Sequence, residues 1–326
     1  MTDPVPIQAR RSSYDVSDRI NVTDPSAVAD EICRLMAGCC PDFDCELLTR
    51  AVTDFARLYS GDYPGRYACD TLYHDLQHTL DVTLAMARLA YGHERSEPQE
   101  ARFGAERIQI GLIAALFHDA GYIRRAGVDH LPHGAEYTLT HVTRSGEFLA
   151  EYLPTVGLEH LTEVARNLVQ FTGYERDIKD IEVPDERYRR LGKLLGTADL
   201  IAQLADRCYL EKCRDRLYPE FVLGGIARSQ EAKEGASAVY SSPEDLLRKT
   251  PQYFDEFVRE RLNGKFDQAY RYAAQCFDGR NFYIEAIEKN VNFLEHLIAS
   301  NRLDKLRRQP PRNKAAGRKR RVAQSG

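Results

Sequence analysis

The sequence predicts an all-α fold, a bundle of many helices with a metal site in its core. Apolar residues recur at helical spacing along most of the 326-residue chain, and no stretch shows a convincing strand pattern. A chain of this length can bury a large core. Helices are expected at about residues 26–37, 45–59, 74–91, 104–117, 135–152, 158–171, 191–205, 206–221, 243–262, 265–277 and 281–300.

The first helices are indicated by start signals and apolar stripes. Asp24, Pro25 and Ser26 offer a helix start, because proline is tolerated in a first turn. Cys45–Tyr59 carries apolar residues at a spacing of three and four, which places one face on the core. After a turn at 62–65, a histidine-rich stretch opens the next helix.

The later helices are recognised by their apolar content and their ends. Residues 104–117 are strongly apolar, and Gly121 is a natural stop shortly after them. Residues 191–205 place apolar side chains on both sides of Asp199. Residues 226–242 are expected to form a mobile loop, and the Tyr and Phe residues of the last three helices are expected in the core.

Charge and composition divide the chain into three parts. From Leu303 onward there are nine Lys or Arg and one Asp, a charge of +8, so with a net charge of −4 the preceding residues carry −12. An acidic body argues against a general nucleic-acid binder. We expect a flexible arm over residues 1–24 that is disordered or draped on the body, a helical domain with a C-terminal helical extension over 25–302, and a disordered basic tail over 303–326.

The expected compartment is the cytoplasm. No apolar run approaches 18 residues, so no membrane span is expected, and the N-terminus lacks the apolar region of a secretory signal. The eight cysteines are scattered without metal-binding spacing, which is typical of reduced thiols.

Three separated stretches carry side chains suited to metal binding. His118 and Asp119 end the apolar helix in LIAALFHDAGY, His78 lies in YHDLQHTLDV, and Asp199 lies in TADL. A His-Asp pair can simply be a polar helix end, but a buried carboxylate without a cation is costly. Together the four form a mixed N/O ligand set that suits zinc, manganese, iron or magnesium.

This order of residues, H…HD…D, resembles the HD superfamily of metal-dependent phosphohydrolases. The string Tyr73-His74-Asp75-x-x-His78-x-x-Asp81-Val82 is similar to the YHNxxHAxDV motif of class I cyclic-nucleotide phosphodiesterases. The resemblance covers roughly residues 70–205. It implies a helical catalytic domain in which His78, His118, Asp119 and Asp199 bind a divalent ion and His74 protonates the leaving oxygen. Residues 118–122 depart from the motif HDxxHPG because they lack its second histidine. The number of metal ions, one or two, therefore stays open.

Further site residues are expected around this centre. Asp81 is a candidate to orient His78, while Glu136 and His141 are candidates for a bridging water or a second ion. Arg124 and Arg125 suit a substrate phosphate, against the simpler reading of two solvated arginines. In the resembled phosphodiesterases a glutamine holds the base, and the only candidate here, Gln275 beside Phe277, has a spacing that does not match.

The expected function is hydrolysis of a nucleotide-type phosphoester, most directly by a phosphodiesterase. The alternatives are a nucleotidase or nucleoside-triphosphate hydrolase of the same superfamily, or an HD-fold regulatory module without catalysis. The basic tail is either a solubilising segment or a weak contact for RNA or an anionic surface. The sequence does not indicate an oligomeric state.

Overall fold

The computed structural model describes residues 10–228 and 238–311, and within these ranges the protein is all-α, without a β-strand. Short 3-10 and π-helical segments connect eleven α-helices. These are α1 (Pro25–Ala37), α2 (Cys45–Ser60), α3 (Leu76–Ser96), α4 (Ala105–Phe117), α5 (His141–Tyr152), α6 (Thr162–Leu168), α7 (Glu186–Ala205), α8 (Tyr209–Lys212), α9 (Tyr218–Leu223), α10 (Pro243–Tyr253) and α11 (Phe282–Ala299).

Polar side chains fix the starts of many of these helices. An N-cap oxygen accepts a hydrogen bond from a backbone N–H of the first turn, which typically stabilises a helix by about 1 kcal/mol. The capping residues are Asp24, Asp44, Asp75, Asp185, Ser242 and Asn281.

Helix α3 is the centre of the bundle. It is buried on nearly all sides and packs against α1, α4, α7 and the 3-10 segment Ala269–Cys276. The closest approach is at Gly92, where an added Cβ would lie 1.9 Å from the carbonyl oxygen of Tyr272. Because α3, α4 and α7 pack together, polar residues on their facing surfaces meet inside the protein.

Several helix boundaries differ from those predicted. The histidine-rich helix starts at Leu76, because Asp75 acts as its N-cap, so His74 precedes the helix. The predicted helix 135–152 is interrupted: a 3-10 turn, Gly134–Tyr137, is followed by α5. The predicted helix 265–277 is a 3-10 segment that follows two residues with positive φ, Asp267 and Gln268, a backbone conformation that ends regular helix.

The N-terminal segment is packed where residues 10–24 are described. The carboxylate of Asp15 is fully buried and lies 2.6 Å from the guanidinium of Arg88. Arg10 donates a hydrogen bond to the carbonyl oxygen of Ala205, at the end of α7. This part of the expected flexible arm therefore lies against the body, because a buried ion pair holds it; residues 1–9 lie outside the described residues.

The start of the basic tail also contacts the body. Arg214 and Arg216 donate hydrogen bonds to the carbonyl oxygens of Leu306 and Pro311. The rest of the predicted tail, 312–326, and residues 229–237 of the predicted mobile loop lie outside the described residues. Within the described ranges, no helix combines the length and the apolar character that a membrane crossing requires.

Candidate metal centre

The four predicted ligands come from three packed helices. His78 lies in the first turn of α3, His118 and Asp119 directly follow α4, and Asp199 lies in the second half of α7. The first three are buried, and they form a group whose ligand atoms all lie within 4.8 Å of one another and which could hold a metal ion.

The side-chain tips of His78, His118 and Asp119 lie close together, and Asp199 approaches both histidines. Nε2 of His78 and Nε2 of His118 lie 3.4 and 3.3 Å from Oδ2 of Asp119. The same nitrogens lie 3.6 and 3.8 Å from Oδ1 of Asp199. Ligand atoms that share a cation at roughly 2.1 Å are roughly 3.4 Å apart, so these separations suit a common ion better than direct hydrogen bonds.

Two buried atoms at this point have no hydrogen-bond partner. They are Nε2 of His118 and Oδ2 of Asp119. Nδ1 of His118 lies 2.7 Å from the carbonyl oxygen of Ala115, so Nδ1 carries the proton and Nε2 offers its lone pair. Unpaired buried polar atoms are costly, and a cation between them satisfies both. The residues present therefore fit a divalent metal.

The electrostatics of the protein also favour positive charge here. Burial by itself would lower the pKa of His118, but the carboxylates of Asp119 and Asp199 outweigh it and raise that pKa to about 9. Burial likewise opposes ionisation of Asp119, but the histidines around it hold its pKa well below the usual range. Asp199 faces the adjacent cavity, with 16% of its side chain exposed.

His141 extends the centre on the other side of Asp119. Its Nε2 lies 3.7 Å from Oδ1 of Asp119, the oxygen that faces away from His78 and His118. Its Nδ1 lies 2.6 Å from the carbonyl oxygen of Thr138, which again leaves Nε2 as the free acceptor. His141 is thus placed to bind a second ion, with Asp119 as a shared ligand.

His74 lies beside the centre and is held by a residue far along the chain. Its Nδ1 is 2.6 Å from Oε2 of Glu220, and the other oxygen of Glu220 accepts the backbone N–H of Tyr73. Its ring stacks on Tyr122, with centroids 4.5 Å apart. Burial alone would lower the pKa of His74, but the buried Glu220 carboxylate raises it to about 9. His74 is therefore protonated at neutral pH.

Two further candidates lie away from the ligands. Asp81 makes no hydrogen bond to His78; it is half-buried near Asp15, Asp206, Arg10 and Arg88, and its buried Oδ1 has no hydrogen-bond partner. The side chain of Glu136 accepts the backbone N–H of His133 and so caps the 3-10 turn. The expected roles of Asp81 in orienting His78 and of Glu136 at a second ion do not fit these positions.

The two predicted phosphate-binding arginines also lie elsewhere. Arg124 pairs with Asp70, and Arg125 pairs with Asp129 and Glu147. Neither lines the cavity beside the metal ligands. Nearby carboxylates take up both guanidinium groups, so we correct this assignment to structural ion pairs. Gln275 is exposed and likewise lies outside the cavity.

A cavity of about 510 Å³ opens from the ligands. His74, His78, Asp119, His141 and Asp199 lie at its inner end. Its other walls come from residues 138–142 at the start of α5, from the segment 172–175 and from α7 to α10, and they are rich in tyrosine. A cavity of this size holds a small organic molecule with its reacting group at the metal centre.

Three functional candidates were missed in the sequence. Glu220 and Tyr122 hold His74, and Gln203, one helical turn after Asp199, lines the cavity and accepts a hydrogen bond from the Tyr73 hydroxyl. The position of Gln203 was detectable, because it shares a helix face with Asp199. Glu220 carried no local signal.

Comparison with protein-family models and with curated proteins finds no relative.

Proposed function

We propose that the protein is a metal-dependent phosphohydrolase, most directly a phosphodiesterase that hydrolyses a nucleotide-type phosphoester. The observation that carries the proposal is the buried group of His78, His118 and Asp119, with Asp199 within 3.8 Å of both histidine nitrogens, beside His74 and an open cavity. A metal site that only stabilised the fold would need neither an adjacent cavity nor a histidine that can donate a proton.

The side chains divide the work of hydrolysis. His78, His118, Asp119 and Asp199 would hold one divalent ion, zinc, manganese, iron or magnesium, and His141 with Asp119 would hold a second. Such an ion polarises a phosphoryl oxygen and lowers the pKa of a water, which supplies the nucleophile at neutral pH.

His74 would supply the proton that the leaving group needs. Hydrolysis forms a P–O bond to the water oxygen and breaks the P–O bond to the leaving oxygen. His74 gives its proton to that leaving oxygen, and a proton from the attacking water restores it afterwards. Glu220 keeps the imidazole protonated and fixes its ring, so Glu220 acts as a positioning residue.

Two alternatives are retained. A nucleotidase or nucleoside-triphosphate hydrolase would use the same ligands, because ligands set the reaction while the cavity walls set the substrate. A regulatory module that binds without turnover would retain the fold and the cavity. The presence of His74 and Glu220 favours catalysis over the second alternative.

The proposal is tested by hydrolysis assays on metal-loaded protein. Purified protein is incubated with manganese, zinc, magnesium or ferrous iron and a panel of phosphoesters that includes cyclic nucleotides, dinucleotides and nucleoside mono- and triphosphates. We expect the wild-type protein to hydrolyse at least one of these esters. His74→Ala should lower its kcat about 100-fold or more. His160→Ala, a surface histidine outside the cavity, is the matched control and keeps full activity. Absence of turnover with every ester and ion would refute the proposal.

A further inference from the structure

The described residues that line the cavity beside the metal centre include no cationic side chain for a second phosphate. Among the described residues that line it, there is neither a lysine nor an arginine. The nearest predicted phosphate-binding side chains, Arg124 and Arg125, are paired with carboxylates outside it. Sites that bind di- and triphosphates use lysine or arginine to neutralise the additional charge.

The charge at the inner end would be balanced, or positive by two, with metal bound. Asp119 and Asp199 contribute two negative charges, which offset one divalent ion, and a second ion beside His141 would leave two positive charges for one phosphate. The cation His74 is offset by Glu220. One phosphate can be accommodated at this end, whereas a polyphosphate would extend along described lining residues that carry no positive charge; the nearest cations, Lys249 and Arg261, lie behind the rings of Tyr240 and Tyr174.

The rest of the cavity is mainly apolar and aromatic, with Glu175, Gln203 and three threonines as polar groups among the described lining residues. Phe221 stacks on Tyr240 with ring centroids 5.7 Å apart, and the hydroxyl groups of Tyr174 and Tyr253 are 2.6 Å apart. All four line the cavity. Such walls bind planar or aliphatic groups and offer few favourable contacts to a charged polyphosphate chain.

Apolar side chains continue from the cavity to the surface. Leu139, Tyr174 and Val239 line the cavity and are nevertheless 68%, 61% and 60% exposed. Exposed apolar groups that border a cavity commonly mark a binding surface. A ligand that fills the cavity and reaches its mouth would cover them.

We propose that the substrate carries a single phosphate joined to a bulky apolar or planar group that fills the cavity from the metal centre to its mouth, and that polyphosphates are excluded. This inference rests on the proposed phosphohydrolase function and defines its substrate class. The apolar group can be a nucleobase or an alkyl chain, and the experiment distinguishes these two sources.

The test uses three phosphodiesters that share the same leaving group, 4-nitrophenol, and the same single negative charge. Metal-loaded protein is assayed with the methyl, octyl and thymidine-5′ esters of 4-nitrophenyl phosphate, and with thymidine 5′-triphosphate. We expect kcat/KM for the octyl or the thymidine ester to exceed that of the methyl ester about tenfold or more. The ester with the higher kcat/KM shows whether the apolar group is an alkyl chain or a nucleobase. The kcat/KM for the triphosphate should be about 100-fold lower than that value.

The possible results separate the two proposals. Preferred cleavage of the triphosphate, or equal cleavage of the methyl ester and both bulky esters, would overturn the inference and leave a phosphohydrolase. Failure to cleave any of these esters or the wider panel would overturn the proposed function and the inference with it.

A wall variant provides an independent check. Phe221→Ala should raise KM for the preferred bulky ester about tenfold and leave the methyl ester nearly unchanged, which also shows that the metal centre is intact. Phe221→Leu should restore much of the loss. Tyr67→Ala, an exposed aromatic outside the cavity, is the control. An equal effect of Phe221→Ala on both esters would contradict the inference.

Discussion

Nδ1 of His74 lies 2.6 Å from Oε2 of Glu220, a residue 146 positions further along the chain. Glu220 is almost completely buried, and its other oxygen accepts the backbone N–H of Tyr73. The Glu220 carboxylate therefore fixes both the His74 ring and the Tyr73 backbone just before α3 begins. It connects the predicted proton donor to the C-terminal half of the protein.

Replacing Glu220 by Gln should move the pH profile of hydrolysis. His74 acts in its protonated form, so activity falls as pH rises through its pKa, which the Glu220 carboxylate raises to about 9. Without that charge, the alkaline limb should move to lower pH by about one unit or more. The profile of kcat is measured for wild type, Glu220→Gln and the control Glu175→Gln, a cavity carboxylate that leaves His74 untouched. An unmoved alkaline limb in Glu220→Gln would rule out this role.

Replacing His141 by Ala should affect a second ion selectively. Nε2 of His141 lies 3.7 Å from Oδ1 of Asp119, whereas His78 and His118 lie closest to Oδ2. We expect the variant to retain the tightly bound ion and to lose the weaker one, with metal affinity in the second step reduced about tenfold or more. Calorimetric titration with manganese measures both steps. If only one ion binds to the wild-type protein, the assignment of His141 to a second ion is incorrect.

Replacing Asp81 by Asn should stabilise the protein at alkaline pH. Burial, together with the charges of Asp206 and Asp15, raises the pKa of Asp81 from 3.8 to about 7. The folded state thus binds this proton more tightly than the unfolded state, so Asp81 costs stability progressively as pH rises from about 4 to about 7.

The size of this effect follows from the pKa shift. At pH 8 the variant should gain up to about 4 kcal/mol in the free energy of unfolding, at about 1.4 kcal/mol per pKa unit, and at pH 4 it should differ little. Urea unfolding at both pH values measures it, with the exposed Asp42→Asn as control. A gain that is the same at both pH values would show that Asp81 does not titrate as described.

Replacing Gly121 by Ala should destabilise the region behind the metal centre. An added Cβ would lie 1.9 Å from the carbonyl oxygen of His141 and 2.8 Å from the backbone nitrogen of Ser145. Because backbone atoms cannot move aside cheaply, we expect a loss of about 3 kcal/mol in stability and weaker metal binding. Gly264→Ala, with open space around its Cβ position, should change stability little. Thermal unfolding compares the two, and similar melting temperatures would contradict the close packing described.

The helical fold and three residues that could hold a metal ion, His78, His118 and Asp119, are predictable from the sequence because those signals are local. His78, His118, Asp119 and Asp199 each lie in or at the end of an apolar helix, where a charged or imidazole side chain is conspicuous. The same reasoning placed His74 one helical turn before His78, although it lies ahead of the helix that Asp75 caps. A polar side chain at a helix start can extend the helix or cap it, and the pattern does not distinguish the two.

The remaining parts of the site depend on distant contacts. Glu220 meets His74 only because α9 folds back over the start of α3. Arg125 was predicted to bind phosphate, but Asp129, four residues later, takes up its charge. Asp81 shares a motif with His78 yet faces the buried charges around the N-terminal segment. Each outcome is set by tertiary packing, which no local pattern contains.

The metal content of two variants tests the central claim most directly. Wild type, Asp199→Ala and His74→Ala are purified in the presence of manganese or zinc, desalted and analysed for bound metal. We predict at least one ion per chain in wild type and in His74→Ala, and almost none in Asp199→Ala, since Asp199 lies within 3.8 Å of both histidine nitrogens. Full metal content in Asp199→Ala, or none in the wild-type protein, would contradict the account.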